Sequence, residues 1–350
     1  MNRVLLHQDI IPHYRKPILE IIGQYVDLTV VYSGETATSG NNYRLVKIPC
    51  YHIPKLGDYH GIDFCRLVKE SDVIISILGR KSIDIDNAKF INKNVKIIKW
   101  GIGVSASYNT RYDSVPPSKK YISMMKQCDA VLFYSDYPKK KYADMGLPSE
   151  SMFVANNTVS VKPMKMTDKK DILLFIGSLY AQKRVDLLIK SYIEADRIDN
   201  TTPPLYIIGD GDERPSLEKY VMQSKVQDKI IFCGQINDDD ILSQYFSRAY
   251  ACISPDQAGL SVLKSMGYGV PYITCKDAIT GGEIFNIHNG IDGVLLEDLG
   301  ELKNTILDIS SHSEKYINMG LAAKKYYEEN RTPQMMAGGF IDAINYAMRK

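Results

Sequence analysis

The sequence has no apolar run long enough to cross a bilayer, no low-complexity tract and no short repeat. Its first residues, MNRVLLHQDII, also lack the basic, apolar and small-residue order of a signal peptide. These absences argue against a membrane-spanning, secreted or fibrous protein. We therefore expect a soluble, cytoplasmic globular protein, and a length of 350 residues favours two domains over one.

Cysteine is present without a ligand pattern. None of the six cysteines is spaced C-x-x-C from another, so neither a zinc knuckle nor a redox pair is indicated. Cys233, Cys252 and Cys275 lie inside apolar, strand-like runs. We expect reduced cysteines in a buried core, as is usual in the cytoplasm.

An excess of charge of one sign is also missing. The net charge is only +2 and the basic residues are scattered, which argues against a nucleic-acid partner. Basic residues near an amphipathic helix leave open a peripheral contact with an anionic membrane surface, such as the inner face of the plasma membrane.

What the sequence does contain is an alternation of short apolar runs with helical patterns. In the first half, strands are predicted at 3–7, 27–32, 73–77, 95–100 and 130–134. The alternation stops at 156–170, which is rich in Lys, Met, Thr, Asp and Pro and is interpreted as a linker. It restarts with predicted strands at 172–176, 205–208, 229–233 and 251–254. Such alternation is typical of parallel sheets covered by helices on both faces.

Glycine follows four successive strands of the second half, at Gly177, Gly209, Gly234 and, after a loop, Gly259. One such glycine would most simply mark a turn. Four of them at the carboxyl ends of parallel strands favour a nucleotide pocket made largely from backbone. Gly259 also opens a predicted helix within PDQAGLSVLKSMGYGVP (255–271), where helix N–H groups and the helix dipole favour a phosphate.

Several ordered segments carry a family resemblance. GSLYAQKRVDLLI starts at Gly177, IIGDG at Ile207 and IFCG at Ile231, and the stretch 255–271 follows. With IPHYRKP from Ile11 and the segment from Ala130 onward, the chain resembles the family 4 retaining glycosyltransferases.

The resemblance implies an α/β, GT-B architecture, in which two Rossmann-like, doubly wound domains face a central cleft. Residues 1–165 would bind the acceptor and residues 166–332 the nucleotide-sugar. The helix at 333–350 would pack back on the first domain.

The resemblance also implies the site residues. Lys183 would bind the donor diphosphate and Asp256 the donor sugar, and these two would be catalytic. A solvated surface lysine is the alternative for Lys183. The implied donor-binding residues are Gly177, Ser178, Lys183, Arg184, Gly209, Gly234, Gln235, Ile236, Asp256, Gly259, Leu260, Ser261 and Lys264. The acceptor or cleft residues are His13, Tyr14, Arg15, Trp100 and Gly101.

Three positions depart from the family pattern. Lys264 replaces the second of two glutamates, and a lysine cannot accept a ribose hydroxyl's hydrogen bond, so it would bind phosphate, bind another carboxylate or lie exposed. Ser178 stands where the family has an arginine, so Arg184 would share the charge of Lys183. Ile102 stands where related sequences often have histidine.

Together these features favour a retaining transferase that moves a sugar from a nucleotide-sugar to a glycan or lipid-linked acceptor in surface polysaccharide synthesis. No cofactor and no metal are expected. The alternatives are a catalytically weak, nucleotide-binding scaffold and a nucleotide-sugar epimerase on the same fold. Among the other histidines, His7 ends the first strand, His288 is interpreted as structural, and His52, His60 and His312 have no supporting context.

Overall fold

The computed structural model describes residues 1–35, 39–107, 109–163 and 170–350. The chain forms two compact units. Unit 1 comprises Met1–Ser105, Asp113–Val159 and Thr332–Lys350, and unit 2 comprises Ala106–Tyr112 and Ser160–Arg331. Most of the predicted linker, at 164–169, lies outside the described residues.

The core of unit 1 is a parallel sheet. The strands of this unit are β1 (Arg3–His7), β2 (Asp27–Tyr32), β3 (Tyr43–Lys47), β4 (Tyr51–Ile53), β5 (Gly57–Tyr59), β6 (Val73–Ile77), β7 (Lys96–Gly101), β8 (Ala130–Phe133) and β9 (Met152–Val154). Seven of them pair in the order β3-β2-β1-β6-β7-β8-β9, while β4 and β5 form a separate antiparallel pair. Because helices cover both faces, β1, β6 and β8 are buried almost throughout.

Short helices connect these strands: α1 (Lys16–Ile22), α2 (Ile62–Glu70), α3 (Ile83–Asp86), α4 (Ala88–Ile91), α5 (Lys119–Gln127) and α6 (Asp136–Asp144). Local sequence sets their ends. Pro17 lies in the first turn of α1, where a missing N–H costs nothing. Ser118 caps α5, since its side chain accepts a hydrogen bond from the N–H of Tyr121.

Unit 2 has a second parallel sheet. Its strands are β10 (Ile172–Ile176), β11 (Leu205–Ile208), β12 (Ile230–Gly234), β13 (Ala249–Ile253), β14 (Gln257–Ala258), β15 (Tyr272–Cys275), β16 (Ile279–Thr280) and β17 (Gly293–Leu296). The sheet order is β12-β11-β10-β13-β15-β17, and β14 pairs with β16 apart from it. The helices are α7 (Val185–Ile198), α8 (Arg214–Gln223), α9 (Asp239–Arg248), α10 (Leu260–Gly267), α11 (Leu302–Ser311) and α12 (Ser313–Asn330).

The last helix, α13 (Pro333–Arg349), belongs to unit 1. It packs against α1 and buries Met336, Phe340 and Ile344 in the same hydrophobic cluster as Trp100. The predicted doubly wound α/β class and the return of the terminal helix to the first domain are confirmed.

The cysteines are all free, and Cys252 and Cys275 are buried, whereas Cys233 is only half-buried. Within the described residues, no helix combines the length and the apolar character needed to cross a membrane.

Candidate functional site

The strand order of unit 2 reverses between β10 and β13, so the loops after these strands diverge and leave a crevice at the carboxyl edge of the sheet. Gly177 and the exposed Ser178 follow β10, and Asp256 follows β13. Gly209 follows β11 and Gly234 ends β12. The predicted donor residues are therefore distributed along one edge of one sheet.

Backbone hydrogen bonds join the carboxyl ends of β10, β11 and β12. The N–H of Gly177 donates to the oxygen of Ile208 at 2.9 Å, and the N–H of Gly209 donates to the oxygen of Gly234 at 2.8 Å. Gly209 has φ +149°, and a Cβ at this position would collide with the carbonyl oxygen of Gly177. Glycine is required at this position because two segments of the backbone approach each other closely.

Lys183 is buried at the same edge, and only 7% of it is exposed. Its Nζ lies 3.1 Å from the position that a Cβ on Gly177 would take, and 5.8 Å from the ring centroid of Tyr180. No hydrogen bond or ion pair reaches this ammonium from the described part of the chain. Burial lowers the pKa of Lys183 to about 8. The alternative of a solvated surface lysine is therefore wrong, and the side chain presents a positive charge that no described residue balances.

Arg184 and Asp256 complete the charged part of the site. Arg184 adopts the left-handed conformation, with φ +52°, and its Nε pairs with Asp186 at 3.3 Å. Burial raises the pKa of the Asp256 carboxyl, and the positive charges of Arg184 and Arg111 oppose that rise. The carboxylate of Asp256 thus lies within the electrostatic reach of two guanidinium groups.

A tyrosine network, which the sequence motifs did not indicate, joins the two loops. The Tyr180 hydroxyl bonds to Oε1 of Gln257 at 2.5 Å. The Tyr272 hydroxyl donates to the carbonyl oxygen of Gln257 at 3.0 Å and bonds to Oγ of Ser261 at 2.8 Å. The Ser261 hydroxyl is therefore engaged inside unit 2, while its backbone N–H belongs to the first turn of α10.

The first turn of α10 begins after Gly259, which takes the N-cap position. The first N–H groups of a helix, here including those of Leu260 and Ser261, have no intrahelical acceptor and carry the positive end of the helix dipole. Apart from Gly259 and its two chain neighbours, no atom of the described residues lies within 4 Å of a Cβ built on Gly259. The space beside Gly259, at the start of this turn, is therefore open, which favours the approach of an anion to the helix end.

Lys264 lies one turn further along α10 and pairs with another carboxylate. Its Nζ is 2.6 Å from Oδ1 of Asp239, which lies in the first turn of α9. Of the three alternatives for this lysine, the structure shows the ion pair. Beyond β12, Gln235 is exposed and donates from Nε2 to Oδ1 of Asn237 at 3.4 Å, and Ile236 is half-buried.

The predicted residues of unit 1 fall into two groups. Tyr14, Arg15 and Trp100 lie together, because the Arg15 guanidinium carbon is 5.1 Å from the ring centroid of Tyr14 and 5.0 Å from that of Trp100. Arg15 is only 4% exposed, and its Nη2 donates to the Tyr134 hydroxyl at 2.9 Å. The Arg15 guanidinium therefore makes its contacts inside unit 1. His13, by contrast, is exposed and packs edge-on against Tyr14.

A cavity of about 600 Å³ lies beyond the carboxyl ends of β6, β7 and β8. Of the five residues predicted for the acceptor side, Gly101 alone is among the described residues that line it. Its walls are mostly apolar and include Ile102, Val115, Pro116, Tyr121 and Tyr142. Ile102 therefore contributes apolar surface where related sequences often have a polar histidine.

Comparison with known proteins supports the resemblance. Residues 170–312 match the family model described as Glycosyl transferases group 1. The chain is 26% identical over 189 residues to lipopolysaccharide 1,6-galactosyltransferase of Salmonella typhimurium, covering 51% of this chain and 50% of that protein. It is 23% identical over 188 residues to N-acetyl-alpha-D-glucosaminyl L-malate synthase of Bacillus anthracis, covering 53% and 48%. These matches span about half the length of the curated relatives.

Solved structures match over the whole chain. HepE of Anabaena in complex with UDP has a TM-score of 0.72 at 14% identity, with 99% of this chain and 100% of that chain covered. The lipopolysaccharide outer core galactosyltransferase WaaB, without ligand, has a TM-score of 0.66 at 17% identity, with 99% of both chains covered. The fold is GT-B, and the predicted resemblance to GT-B glycosyltransferases is confirmed. The narrower assignment to family 4 stays a prediction.

Proposed function

We propose that this chain is a retaining glycosyltransferase that moves a sugar from a nucleotide-sugar to a glycan or lipid-linked acceptor. The observation that carries the proposal is Lys183, a buried cation at the switch point of the unit 2 sheet that has no counter-ion among the residues the structure describes. A diphosphate bound there would supply the missing negative charge. The sequence similarity to glycosyltransferases supports the same activity.

The donor would be held mainly by unit 2. The Lys183 ammonium and the first N–H groups of α10 would bind the diphosphate, and the Asp256 carboxylate would accept hydrogen bonds from sugar hydroxyls. HepE was solved with UDP and with UDP-glucose, so a uridine nucleotide is the first donor to test. The engaged Lys264 would leave recognition of the ribose to other groups.

The reaction would break the bond between the anomeric carbon and the phosphate oxygen and form a bond from that carbon to the acceptor oxygen. The acceptor hydroxyl would give its proton to the leaving phosphate on the same face of the sugar, so the anomeric configuration is retained. Lys183 and the α10 N–H groups would stabilise the negative charge that develops on the diphosphate. These groups do the work that a metal ion does in other transferases, so we propose metal-independent transfer.

The acceptor would be held by unit 1. The apolar walls of the cavity beyond β6, β7 and β8 favour an acceptor with an apolar portion, such as a lipid-linked sugar. A role in surface polysaccharide synthesis, at the inner face of the plasma membrane, follows from that acceptor. The similarity to a lipopolysaccharide galactosyltransferase supports this role.

The experiment that tests the proposal is a binding panel followed by a transfer assay. Nucleoside diphosphates and nucleotide-sugars are titrated calorimetrically into the wild-type protein, Lys183→Met and the control Lys190→Met, which changes an exposed lysine on α7. We expect one nucleotide to bind the wild type and the control equally, and Lys183→Met about tenfold or more weakly. Proton NMR of the product then gives its anomeric configuration. Binding of no nucleotide would overturn the proposal.

A second candidate is a nucleotide-binding protein without transferase activity. The Lys264–Asp239 ion pair favours it, since it occupies the position at which the family has a second glutamate. Nucleotide binding that depends on Lys183, together with neither transfer nor hydrolysis of any donor in the panel, would select this candidate over the first.

A further inference from the structure

Two histidines and an aspartate meet at the carboxyl end of β1, in unit 1. His7 is the last residue of β1, Asp9 follows in the next loop, and His60 lies between β5 and α2. One ligand atom from each residue lies within 4.8 Å of the others, and Nε2 of His7 is 3.8 Å from Oδ1 of Asp9. Both histidines are only 3% exposed.

The atoms that face one another in this cluster lack hydrogen bonds. Nε2 of His7, Nε2 of His60 and Oδ1 of Asp9 are buried, and none of them has a partner among the residues that the structure describes. A buried polar atom without a partner is costly, and most such atoms in native proteins are satisfied. Three that converge on one point indicate a shared ligand.

Two of the three ligands, His60 and Asp9, are fixed on their other side by hydrogen bonds or ion pairs. Nδ1 of His60 lies 3.0 Å from Oδ1 of Asp84, and the His60 backbone N–H donates to Oδ2 of Asp84 at 2.6 Å. An imidazole that donates Nδ1–H to a carboxylate keeps its lone pair on Nε2, as metal-binding histidines usually do. Asp9 pairs through its other oxygen with Arg80, so Oδ1 remains directed at the histidines.

The surrounding charges favour a cation. Asp9, Asp58 and Asp84 contribute three negative charges, and Arg80, which pairs with Asp9 and Asp58, contributes one positive charge. Lys99 also acts on His7, but its charge is balanced by its ion pair with Asp86. With neutral imidazoles the cluster therefore carries a net charge of −2, which a divalent cation would neutralise. An anion would instead meet the inward oxygen of Asp9.

We propose that His7 Nε2, His60 Nε2 and Asp9 Oδ1 bind a divalent transition-metal ion of the zinc class, with water completing the coordination. Two imidazoles and one carboxylate form a donor set that Zn²⁺ accepts and that Mg²⁺ and Ca²⁺ disfavour. Metal–ligand bonds of about 2.0–2.2 Å place tetrahedral ligands about 3.3 Å apart. The three atoms now lie within 4.8 Å of one another, so they would close by about 1.5 Å at most on binding, which side-chain rotation allows.

This site departs from the sequence-based expectation that the chain holds no metal. It lies in unit 1, whereas the proposed diphosphate groups lie in unit 2. It does not depend on glycosyl transfer, so its test and the donor-binding test can fail independently.

The first experiment uses the full chain, stripped with a chelator and titrated with Zn²⁺ by calorimetry. We expect one equivalent to bind, and a tenfold excess of Mg²⁺ or Ca²⁺ not to compete. Co²⁺ in place of Zn²⁺ should give visible absorption bands of low coordination number, and X-ray absorption should show two imidazoles per metal. Absence of binding at micromolar Zn²⁺ would overturn the proposal.

Variants separate this site from adventitious surface binding. His60→Gln and Asp9→Asn should each weaken Zn²⁺ binding by about tenfold to a hundredfold or more. His52→Gln is the matched control, because His52 lies in the same unit and its Nδ1 is 2.9 Å from Asp58, but its side chain is 73% exposed. Circular dichroism checks that each variant is folded, and Asp9→Asn changes only a half-buried side chain. Binding that survives both Asp9→Asn and His60→Gln would overturn the assignment.

Discussion

At the scale of single residues, the surroundings of Lys183 determine its chemistry. The same side chain on an exposed helix would be fully charged and paired with water or a carboxylate. Here it is buried beside Gly177 with no counter-ion in the described part of the chain, and burial lowers its pKa to about 8. The ammonium is therefore still mostly protonated near neutral pH, but it becomes a neutral amine within the alkaline range.

The first prediction concerns the pH dependence of donor binding. Only the protonated form of Lys183 attracts a diphosphate, so affinity for the donor nucleotide should fall as the pH rises through about 8. Affinity falls rather than rises because the lowered pKa of Lys183 brings its loss of a proton into the pH range of the titration. Calorimetric titration between about pH 7 and about pH 9.5 measures the effect, at up to about tenfold per pH unit above the pKa. Lys183→Met should bind weakly at every pH; a profile as steep as that of the wild type would contradict the assignment.

Lys264 shows at the same scale how an ion-pair partner determines the role of a charged residue. It lies on the site helix, but its charge is balanced by Asp239, 25 residues earlier in the chain. Lys264 and Asp239 are 17% and 33% exposed, so solvent screens the pair only in part.

A charge swap tests this pair. Lys264→Glu would place two carboxylates together and should lower the free energy of unfolding by about 1 kcal/mol or more, whereas the double variant Lys264→Glu with Asp239→Lys should recover most of the loss. Urea unfolding followed by circular dichroism measures both. Additive effects of the two substitutions would show that the ion pair contributes nothing to stability.

At the scale of elements, two site glycines have different physical reasons. Gly209 ends β11 where the backbone of the neighbouring loop is too close for any Cβ. Gly259 precedes α10 in extended geometry, with φ −107°, and a Cβ there would meet no described residue within 4 Å other than its chain neighbours. The fold therefore requires the first glycine and merely tolerates the second.

Replacing each of these two glycines by alanine should therefore have a different effect. Gly209→Ala should destabilise unit 2 by about 3 kcal/mol or prevent its folding, because the new methyl collides with the Gly177 carbonyl. Gly259→Ala should cost less than about 1 kcal/mol, yet weaken nucleotide binding by placing a methyl before the helix N–H groups. Thermal melts and calorimetry measure the two effects. Equal loss of stability in both variants would contradict this distinction.

At the scale of the whole molecule, helix α13 completes the hydrophobic core of unit 1. Helix α13 lies at residues 333–349 yet buries its apolar face in the hydrophobic cluster of unit 1, where Phe340 packs on Trp100 with ring centroids 4.8 Å apart. Unit 1 therefore cannot acquire its full core until α13 is present.

Phe340→Ala should therefore lower the stability of unit 1 by about 3–5 kcal/mol, through lost burial and a cavity. Hydrogen exchange read by mass spectrometry should show faster exchange in β1, β6 and β7, with β10 and β13 in unit 2 unchanged. Met348→Ala is the control on the same helix, since Met348 is 37% exposed. Equal acceleration in both units would contradict the separate cores.

The sequence predicted most of the elements, because buried parallel strands and amphipathic helices leave local periodic patterns. β3 and α2 are among the elements that it did not predict, and both were missed for the same physical reason. β3 is an edge strand in which only Tyr43 is buried, and α2 buries only Phe64 and Val68. Neither leaves a strong apolar run.

By itself, then, the sequence determined the α/β class, the two-domain pattern and the glycines at strand ends, since these follow from short-range preferences. Only the tertiary structure decided which side chains meet. It buried Lys183, paired Lys264 with Asp239, and brought His60, which had no context in the sequence, to His7 and Asp9. Such contacts join residues far apart in the chain, and the geometry that brings them together exists only after the sheets have formed.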